Sequence, residues 1–313
     1  MTLKKDKTKP EKSVCRLFVG TSGYSYTEWA DAGFYPSGTK SGKMLPLYAR
    51  HFPVTELNYT WYQMPRAEAI ERQRRLVPPG FLFAAKLTRT LTHEIDPHNW
   101  PGQALLYRNG VSPLMQAGQL LAVLIQLPPS FTRTPSNRKY LSGLLDRLYG
   151  MPLAIEFRHR SWATDTVFAE LQRRKITLVS VDEPDLPNLF PVLDVVTNPD
   201  LFYVRFHGRN ASSWGSGNMQ HQFDYNYSDE QLHEWAEEKI MPMSRQANRG
   251  VLFFNNHVRA QAPENADLMI ERAFDVVGVQ IAAEQNLLPG RRAVGRLVER
   301  VARPPEQLAE EAG

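Results

Sequence analysis

Residues 153–158 have the sequence LAIEFR, a short apolar run that carries two charged side chains at its end. Successive side chains of a strand point to opposite faces, so Glu156 and Arg158 share one face. Ile155 and Phe157 share the other face, and bulky apolar side chains of this kind suit packing against helices. The stretch therefore predicts a buried strand whose charged side chains point to the inside of a closed sheet.

Seven further runs of this kind occur along the chain, and nearly all of them end in charged or amide residues. The eight predicted strands are Arg16–Gly20, Val54–Asn58, Phe81–Lys86, Leu120–Gln126, Leu153–Arg158, Ile176–Asp182, Leu201–His207 and Val251–Asn256. Helical patterns or long loops separate most of them, as crossovers between parallel strands require. We therefore predict an α/β protein with a single (β/α)8 TIM barrel and long βα loops. The 313 residues suffice for a barrel of about 250 residues with insertions.

The two ends of the chain are predicted to lie outside the barrel domain. Residues 1–13 hold five lysines and no apolar stretch, which predicts a disordered basic tail. Val294, Leu297 and Val298 recur at helical spacing, which predicts a C-terminal helical extension within residues 281–313. Residues 14–280 are left as one TIM-barrel domain, because no repeat or linker indicates a second domain.

Local signals predict the segments that connect the strands. Pro65 precedes a predicted helix at Arg66–Leu76, and Ser228 with Gln231 forms a capping box before another helix. Four prolines within Glu183–Asp200 predict an irregular crossover. The remaining predictions are a polar loop at Thr88–Gly102, a helix capped by Ser161 that runs to Lys175, and a closing helix at Glu264–Val279.

Bulk composition limits the classes of partner and compartment. The net charge is +4, and residues 1–13 contribute +3 of it through five lysines against Asp6 and Glu11. The nearly neutral barrel therefore gives no general reason to bind nucleic acid. The chain has one cysteine, no secretory signal and no apolar run near the roughly 18 residues of a membrane span. We expect a cytoplasmic protein without a membrane partner.

The polar residues at the strand ends are the candidates for a functional site. Active sites of TIM barrels lie at the C-terminal ends of the strands, so these residues should share one mouth although they are far apart in sequence. Alternation within each predicted strand groups its last polar residues on the inner face. The residues predicted in this way are Glu56, Asn58, Lys86, Gln126, Glu156, Arg158, Asp182, Arg205 and His207.

The chemistry of this set favours an anionic ligand. Lys86, Arg158, Arg205 and the following Arg209 can bind a phosphate or carboxylate, which predicts an enzyme with an anionic small molecule as substrate. The candidates for acid–base catalysis are Glu156, Glu56 and His207. Further ligand contacts are predicted from Gln126, His159, Asp182, Asn255, Asn256, Tyr24, Trp29, Asn58, Tyr62 and Trp162. The residues assign no reaction.

Other interpretations stay open. The charged side chains can form a structural ion-pair network, and the aromatic loop residues can roof the core. A non-catalytic protein could use the same cations and the lysine-rich tail to bind a nucleic-acid backbone. A divalent metal could bind carboxylates and histidines, but the interleaved cations and the lack of short ligand spacings disfavour it. The residues considered for such a metal are Glu56, Glu156, Asp182, His159 and His207, and no cofactor motif occurs.

Several short motifs resemble those of one family. They are GTSGYSY at Gly20–Tyr26, ELNYTWY at Glu56–Tyr62, QLPP at Gln126–Pro129, EFRHRSW at Glu156–Trp162, RFHGR at Arg205–Arg209 and FNN at Phe254–Asn256. Together they resemble the YecE-like family, a domain of unknown function, over roughly residues 16–280. The resemblance implies a TIM barrel and supplies no reaction. It also leads us to expect glycine near position 260, where this chain has Ala260.

Overall fold

A computed structural model describes residues 14–274 and 279–282 of the chain. Its parallel strands are β1 (Cys15–Ser22), β2 (Val54–Leu57), β3 (Leu82–Lys86), β4 (Leu120–Gln126), β5 (Leu153–Glu156), β6 (Thr177–Asp182), β7 (Phe202–Phe206), β8 (Arg249–Phe254) and β9 (Val279–Ile281). Because β1 pairs with both β8 and β2, the first eight strands close into a barrel. The predicted TIM-barrel fold is confirmed, and each predicted strand overlaps an observed one.

The ninth strand is an addition to the barrel. Residues 15–17 of β1 pair with β9, whereas Thr21 and Ser22 at the other end of β1 pair with β2. Since β2 has only four residues, the start of β1 would otherwise present an open edge. The predicted closing helix reaches too far, because Val279 belongs to this strand.

Helices surround the barrel and connect its strands. They are α1 (Glu28–Asp31), α2 (Ser41–Tyr48), α3 (Tyr59–Tyr62), α4 (Ala67–Arg74), α5 (Trp100–Gln116), α6 (Pro135–Arg147), α7 (Asp165–Arg174), α8 (Met219–Gln222), α9 (Asp229–Trp235), α10 (Met241–Ser244) and α11 (Gln261–Phe274). A π-helix at Ala236–Ile240 joins α9 to α10. None of the described helices is long and apolar enough to cross a membrane.

The helix signals are only partly correct. The capping box of Ser228 is confirmed, and residues 183–200 contain no helix, as predicted. Thr164 caps α7 in place of Ser161, which lies in a single 3-10 turn. α5 was not predicted, and it begins at Trp100 inside the segment expected to be a loop. The basic tail at residues 1–13 and the helix predicted near Val294 lie outside the described residues.

Side-chain packing identifies the inner face of each strand. The residues that pack together inside the barrel include Phe18, Val54, Ala84, Leu124, Ala154, Val179, Val181, Tyr203, Val251 and Phe253. Their neighbours along each strand, such as Ile125 and Ile155, pack between the sheet and the helices. Since side chains alternate, the next residue of the same parity after each interior residue faces the mouth.

Position 260, where the family resemblance leads us to expect glycine, is alanine in a backbone conformation that favours glycine. Ala260 adopts a φ of 62°, in the left-handed region that glycine occupies without strain. The residue is the last of the 3-10 turn Val258–Ala260 and precedes α11. The expected glycine and the observed alanine are therefore compatible with the same turn.

Candidate functional site

Four charged side chains form the centre of a network inside the C-terminal end of the barrel. Arg205 on β7 donates to Glu56 Oε1 at 2.6 Å and to Glu156 Oε2 at 2.7 Å. Arg158, just after β5, donates from Nε to Glu156 Oε1. Glu56 also accepts a 2.7 Å hydrogen bond from the Tyr203 hydroxyl. All four charged residues are buried, and cations and carboxylates alternate through the interior.

Glu156 joins the two arginines. Burial alone would raise the pKa of its carboxyl, but the charges of Arg158 and Arg205 outweigh burial and hold the pKa well below its usual range. Glu156 is therefore ionised at neutral pH, and an arginine donates to each of its oxygens. These contacts favour a role in positioning Arg158 and Arg205 over a role as an acid.

His207 belongs to the same network and is neutral. Its Nε2 lies 2.8 Å from Nη2 of Arg158, and its Nδ1 lies 3.1 Å from the amide of Asn255. A guanidinium can only donate, so Nε2 accepts from Arg158. Burial, together with the charge of Arg158, holds the pKa of His207 well below its usual range.

Lys86 and Gln126 are the other predicted residues that the structure brings to this mouth. Gln126 ends β4 and is paired in register with Glu156. Lys86 ends β3, is half-buried, and places Nζ 5.3 Å from the centre of the Trp61 ring. Within the described part of the chain, Nζ has no hydrogen-bond or salt-bridge partner. Burial and the positive charge of Arg205 lower the pKa of Lys86 to about 8.

Glu183 is a member of the network that the sequence analysis missed. Nη1 of Arg158 donates to Glu183 Oε2 at 2.8 Å, while Oε1 has no hydrogen-bond partner among the described residues. Burial raises the pKa of this carboxyl to about 7, and the charge of Arg158 opposes the rise. Buried groups that change protonation near neutral pH are concentrated at functional sites.

The predicted inward orientation of Asp182 is wrong. Val179 and Val181 of β6 lie in the barrel interior, so the inward parity continues to Glu183. Asp182 faces outwards, where Arg209 donates to its carboxylate from Nε at 2.9 Å and from Nη2 at 3.0 Å. Asp182 and Arg209 therefore form an ion pair behind the barrel wall, outside the network at the mouth.

Three other predicted residues also make contacts away from the network. Asn256 donates from Nδ2 to the Asn265 side chain at 2.8 Å, on the outer side of β8. Asn58 donates to a backbone carbonyl of β1 at 3.0 Å. His159 uses Nδ1 to accept a 3.2 Å hydrogen bond from the backbone of the following 3-10 turn. These contacts stabilise strand ends and connections.

Most of the predicted aromatic contacts belong to the core. Trp29 and Trp162 are buried, and their indole N–H groups donate to backbone carbonyls at 2.7 Å. Tyr24 packs against the same cluster as Trp29. Tyr62 is 56% exposed and has no ring contact with the charged network. For Trp29, Trp162 and Tyr24, the structure favours the interpretation that they roof the core.

Two other tryptophans line the mouth. Trp61 faces Lys86, as described above, and the loop after β7 carries Trp214. The ring centre of Trp214 lies 5.9 Å from Cζ of Arg158 and 6.4 Å from the ring centre of His207. Trp214 therefore covers the side of the network where Arg158 and His207 meet.

A chamber of about 630 Å³ adjoins the network beneath the loop that follows β6. Glu183 lines this chamber and is also bonded to Arg158, so the chamber and the network share one residue. Polar side chains of the lining include Arg160, Asp185 and Asn188, and apolar ones include Leu189, Phe190 and Val192. The chamber falls within the roughly 300–1,000 Å³ typical of small-molecule sites.

Not all of the residues considered for a metal lie together. Asp182 and His159 lie away from the network, and the remaining carboxylates face arginine or tyrosine donors. Over residues 14–274 and 279–282, no three His, Cys, Asp or Glu side chains are grouped so that they could hold a metal ion.

Comparisons with known proteins identify relatives of this chain. The sequence matches the family described as protein of unknown function DUF72 over residues 18–286. The UPF0759 protein YunF of Bacillus subtilis is 27% identical over 270 residues, covering 82% of this chain and 94% of that protein. The UPF0759 protein YecE of Escherichia coli is 28% identical over 144 residues, covering 46% of this chain and 48% of that protein.

Solved structures of DUF72 family proteins have the same fold. One from Thermotoga maritima is 34% identical, with a TM-score of 0.74, and the alignment covers 83% of this chain and 99% of that chain. Another from Enterococcus faecalis is 26% identical, with a TM-score of 0.75, and covers 88% of this chain and 99% of that chain. The YecE-like resemblance found in the motifs is therefore confirmed.

Proposed function

The chain belongs to the DUF72 family, and we propose that its barrel is an enzyme that acts on an anionic ligand bearing a phosphate or carboxylate. The ligand binds at the C-terminal mouth, between Lys86 and Arg158. The observation that carries this proposal is the amino group of Lys86, which stands at the mouth with no carboxylate partner among the described residues.

The other two cations of the mouth differ in the hydrogen bonds that they already make. Arg205 is buried between Glu56 and Glu156 and serves the network. Arg158 donates once from each nitrogen, to Glu156, Glu183 and His207. A guanidinium has five N–H donors, so two donors of Arg158 remain for a ligand. The guanidinium of Arg158, held in place by these bonds, lies at the same mouth as the ammonium group of Lys86, which has no carboxylate partner among the described residues. Such a pair of cations suits a phosphate or carboxylate.

The protonation states of the network favour the same ligand class. Lys86, Arg158 and Arg205 oppose three carboxylates, of which Glu183 has a pKa raised to about 7. When Glu183 is protonated, the network carries one excess positive charge, and an anion would neutralise it. Glu183 and Lys86, whose pKa is lowered to about 8, also supply groups able to exchange protons near neutral pH. This capacity supports an enzyme over a passive binder.

Titration calorimetry with sulfate tests the anion site directly. Sulfate keeps the same charge near neutral pH, so its own protonation does not complicate the measurement. We expect wild type to bind sulfate and Lys86→Met to bind it at least about tenfold more weakly, since one charge-assisted contact is lost. Lys139→Met is the matched control, because Lys139 is an exposed lysine of α6. An unchanged affinity in Lys86→Met would exclude the proposed site.

A thermal-shift screen then addresses the ligand. Phosphorylated and carboxylated metabolites are compared with oligonucleotides, and each stabilising compound is tested against Lys86→Met. Binding of a nucleic-acid backbone would weaken by orders of magnitude between low and moderate salt. A small anion that contacts one or two cations would show a shallow salt dependence. A steep slope with oligonucleotides alone would contradict the proposed enzyme.

A further inference from the structure

We propose that Glu183 is the acid–base residue of this site and that the adjoining chamber receives the apolar body of an organic anion. The inference rests on the proposed function, since the anionic group of the same ligand lies at Lys86 and Arg158. It adds the class of substrate and a catalytic residue. Both additions follow from the position of Glu183 between the network and the chamber.

Glu183 is placed to contact the part of the ligand that reacts. Its side chain is buried, one oxygen is held by Arg158, and the other oxygen has no partner within the described residues. An unpartnered oxygen of a buried carboxyl is costly unless a ligand or a proton satisfies it. Because Glu183 lines the chamber, a ligand held by Arg158 and extending into the chamber passes this residue.

The lining of the chamber indicates what lies beyond the anionic group. Leu186, Leu189, Phe190 and Val192 provide an apolar surface, while Arg160 and Asp185 provide charges of opposite sign. Apolar walls with a few polar groups are typical of small-molecule sites. A bare inorganic anion would leave this chamber unused, whereas an aromatic or aliphatic anion would fill part of it.

Several charged groups determine the protonation of Glu183. Glu156 and Arg158 act from the end of β5, Asp182 from β6, and Arg205 from β7. Arg160 and Asp185 line the chamber beside it. An anionic ligand bound to Arg158 would place a second negative charge beside that arginine. Arg158 would then lower the pKa of Glu183 less strongly, so Glu183 would take up a proton. The carboxyl would then donate this proton to the ligand atom beside it, and the electron pair of its O–H bond would stay on Glu183.

The first experiment measures protons taken up when sulfate binds. Titration calorimetry at pH 7 in buffers of different ionisation enthalpy reports this number. With a pKa of about 7, Glu183 is half protonated, so wild type should take up roughly half a proton, and Lys86 should add roughly a tenth. Glu183→Gln should take up only the roughly one tenth of a proton that Lys86 adds. Glu170→Gln is the matched control, because this carboxylate lies at the surface of α7, is not among the groups that shift the pKa of Glu183, and should leave the uptake unchanged.

The second experiment compares benzenesulfonate with methanesulfonate, two anions of equal charge that do not titrate near neutral pH. We expect the aromatic anion to bind wild type about tenfold more tightly, as burial of roughly 60 Å² of ring surface predicts. Val192→Trp and Ala163→Phe, which narrow the chamber, should reduce this preference. Leu105→Trp is the control, because Leu105 is exposed on α5.

The outcomes separate this inference from the proposed function. If sulfate binds in a Lys86-dependent way and wild type takes up no more protons than Glu183→Gln, the anion site stands and the role of Glu183 is overturned. If the two sulfonates bind equally, or both chamber variants retain the preference, the chamber does not receive the ligand body. If no anion binds, the proposed function itself fails.

Discussion

Replacement of Glu156 by glutamine tests whether the buried network holds the barrel mouth together. The substitution keeps the shape of the side chain and removes its charge, so Arg158 and Arg205 lose the carboxylate that they share. An amide group also brings an N–H donor towards donors of arginine. Removal of one partner from a buried ion pair typically lowers the free energy of unfolding by about 3–5 kcal/mol. We expect a loss in this range for Glu156→Gln at neutral pH.

The size of the loss should depend on pH. Without Glu156, the network carries an excess positive charge. Above pH 8 this excess is relieved, because Lys86, with a pKa of about 8, releases its proton and Glu183, with a pKa of about 7, is ionised. The loss of stability should therefore be larger at pH 6 than at pH 8.5. Below about pH 4 it should shrink, because a carboxyl with a depressed pKa stabilises the fold only while it stays ionised.

Urea unfolding and thermal melts of both proteins would measure this loss. At about 2 °C per kcal/mol for a chain of this length, the melting temperature should fall by roughly 6–10 °C. Glu170→Gln is a matched control, because Glu170 also pairs with two arginines but lies at the surface of α7. The free energy of unfolding of Glu170→Gln should fall by less than about 1 kcal/mol. A loss of the same small size in Glu156→Gln, with sulfate binding abolished, would refute the network role and assign Glu156 to the ligand.

Three further predictions concern stability at single positions. Lys86→Met should raise the free energy of unfolding by about 1–3 kcal/mol below pH 8, because the lowered pKa of Lys86 means that the fold disfavours the charged amine. This gain in stability should vanish near pH 10.5, and thermal melts across the pH range would measure it. On α5, Gly110→Ala should lower stability by about 1–3 kcal/mol, since its Cβ would lie 2.2 Å from the Pro65 carbonyl oxygen. Gly102→Ala, with open space around it, should raise stability by about 0.5–1 kcal/mol in the same urea titrations, and equal effects at both positions would contradict the packing of this helix. Lys175→Gly should raise the free energy of unfolding by about 1 kcal/mol, because Lys175 follows the last residue of α7 with a φ of 53°. A lower urea midpoint would show that this left-handed conformation is not strained.

The barrel could be predicted from the sequence because its strands repeat one pattern. Each run is short and apolar, and long segments separate most of them, so the count and the crossovers required no knowledge of contacts. α5 could not be predicted in this way, since Gly102, Gly110 and Pro113 weaken its helical signal. Its close approach to the Pro65 carbonyl needs the glycine that local propensity penalises. Tertiary packing there overrides the preference of the segment.

The candidate site was predictable where one face of a strand is polar. Glu156 and Arg158 alternate with bulky apolar residues, and the structure places both inside. β6 offers no such contrast, because Val179 and Val181 lie inside while Leu178 packs outside. With apolar residues on both faces, parity cannot distinguish Asp182 from Glu183.

The end of β8 presents the same difficulty. Asn255 and Asn256 are identical in type and adjacent, yet Asn255 contacts His207 at the mouth and Asn256 contacts Asn265 outside the barrel. Composition alone cannot assign them to different sides. Pairing Asn255 with the interior residues Val251 and Phe253 would have selected it, because these three share one parity.

The pairing of β9 with the start of β1 links the order of synthesis to the closing of the barrel. The ribosome delivers β1 first and β9 long after it, so the backbone groups of residues 15–17 must wait for the last described strand to reach them. Until then β1 offers a parallel edge to any other extended chain nearby. A nascent or truncated polypeptide that stops before residue 279 would keep this edge and should associate with copies of itself, whereas the finished chain covers it.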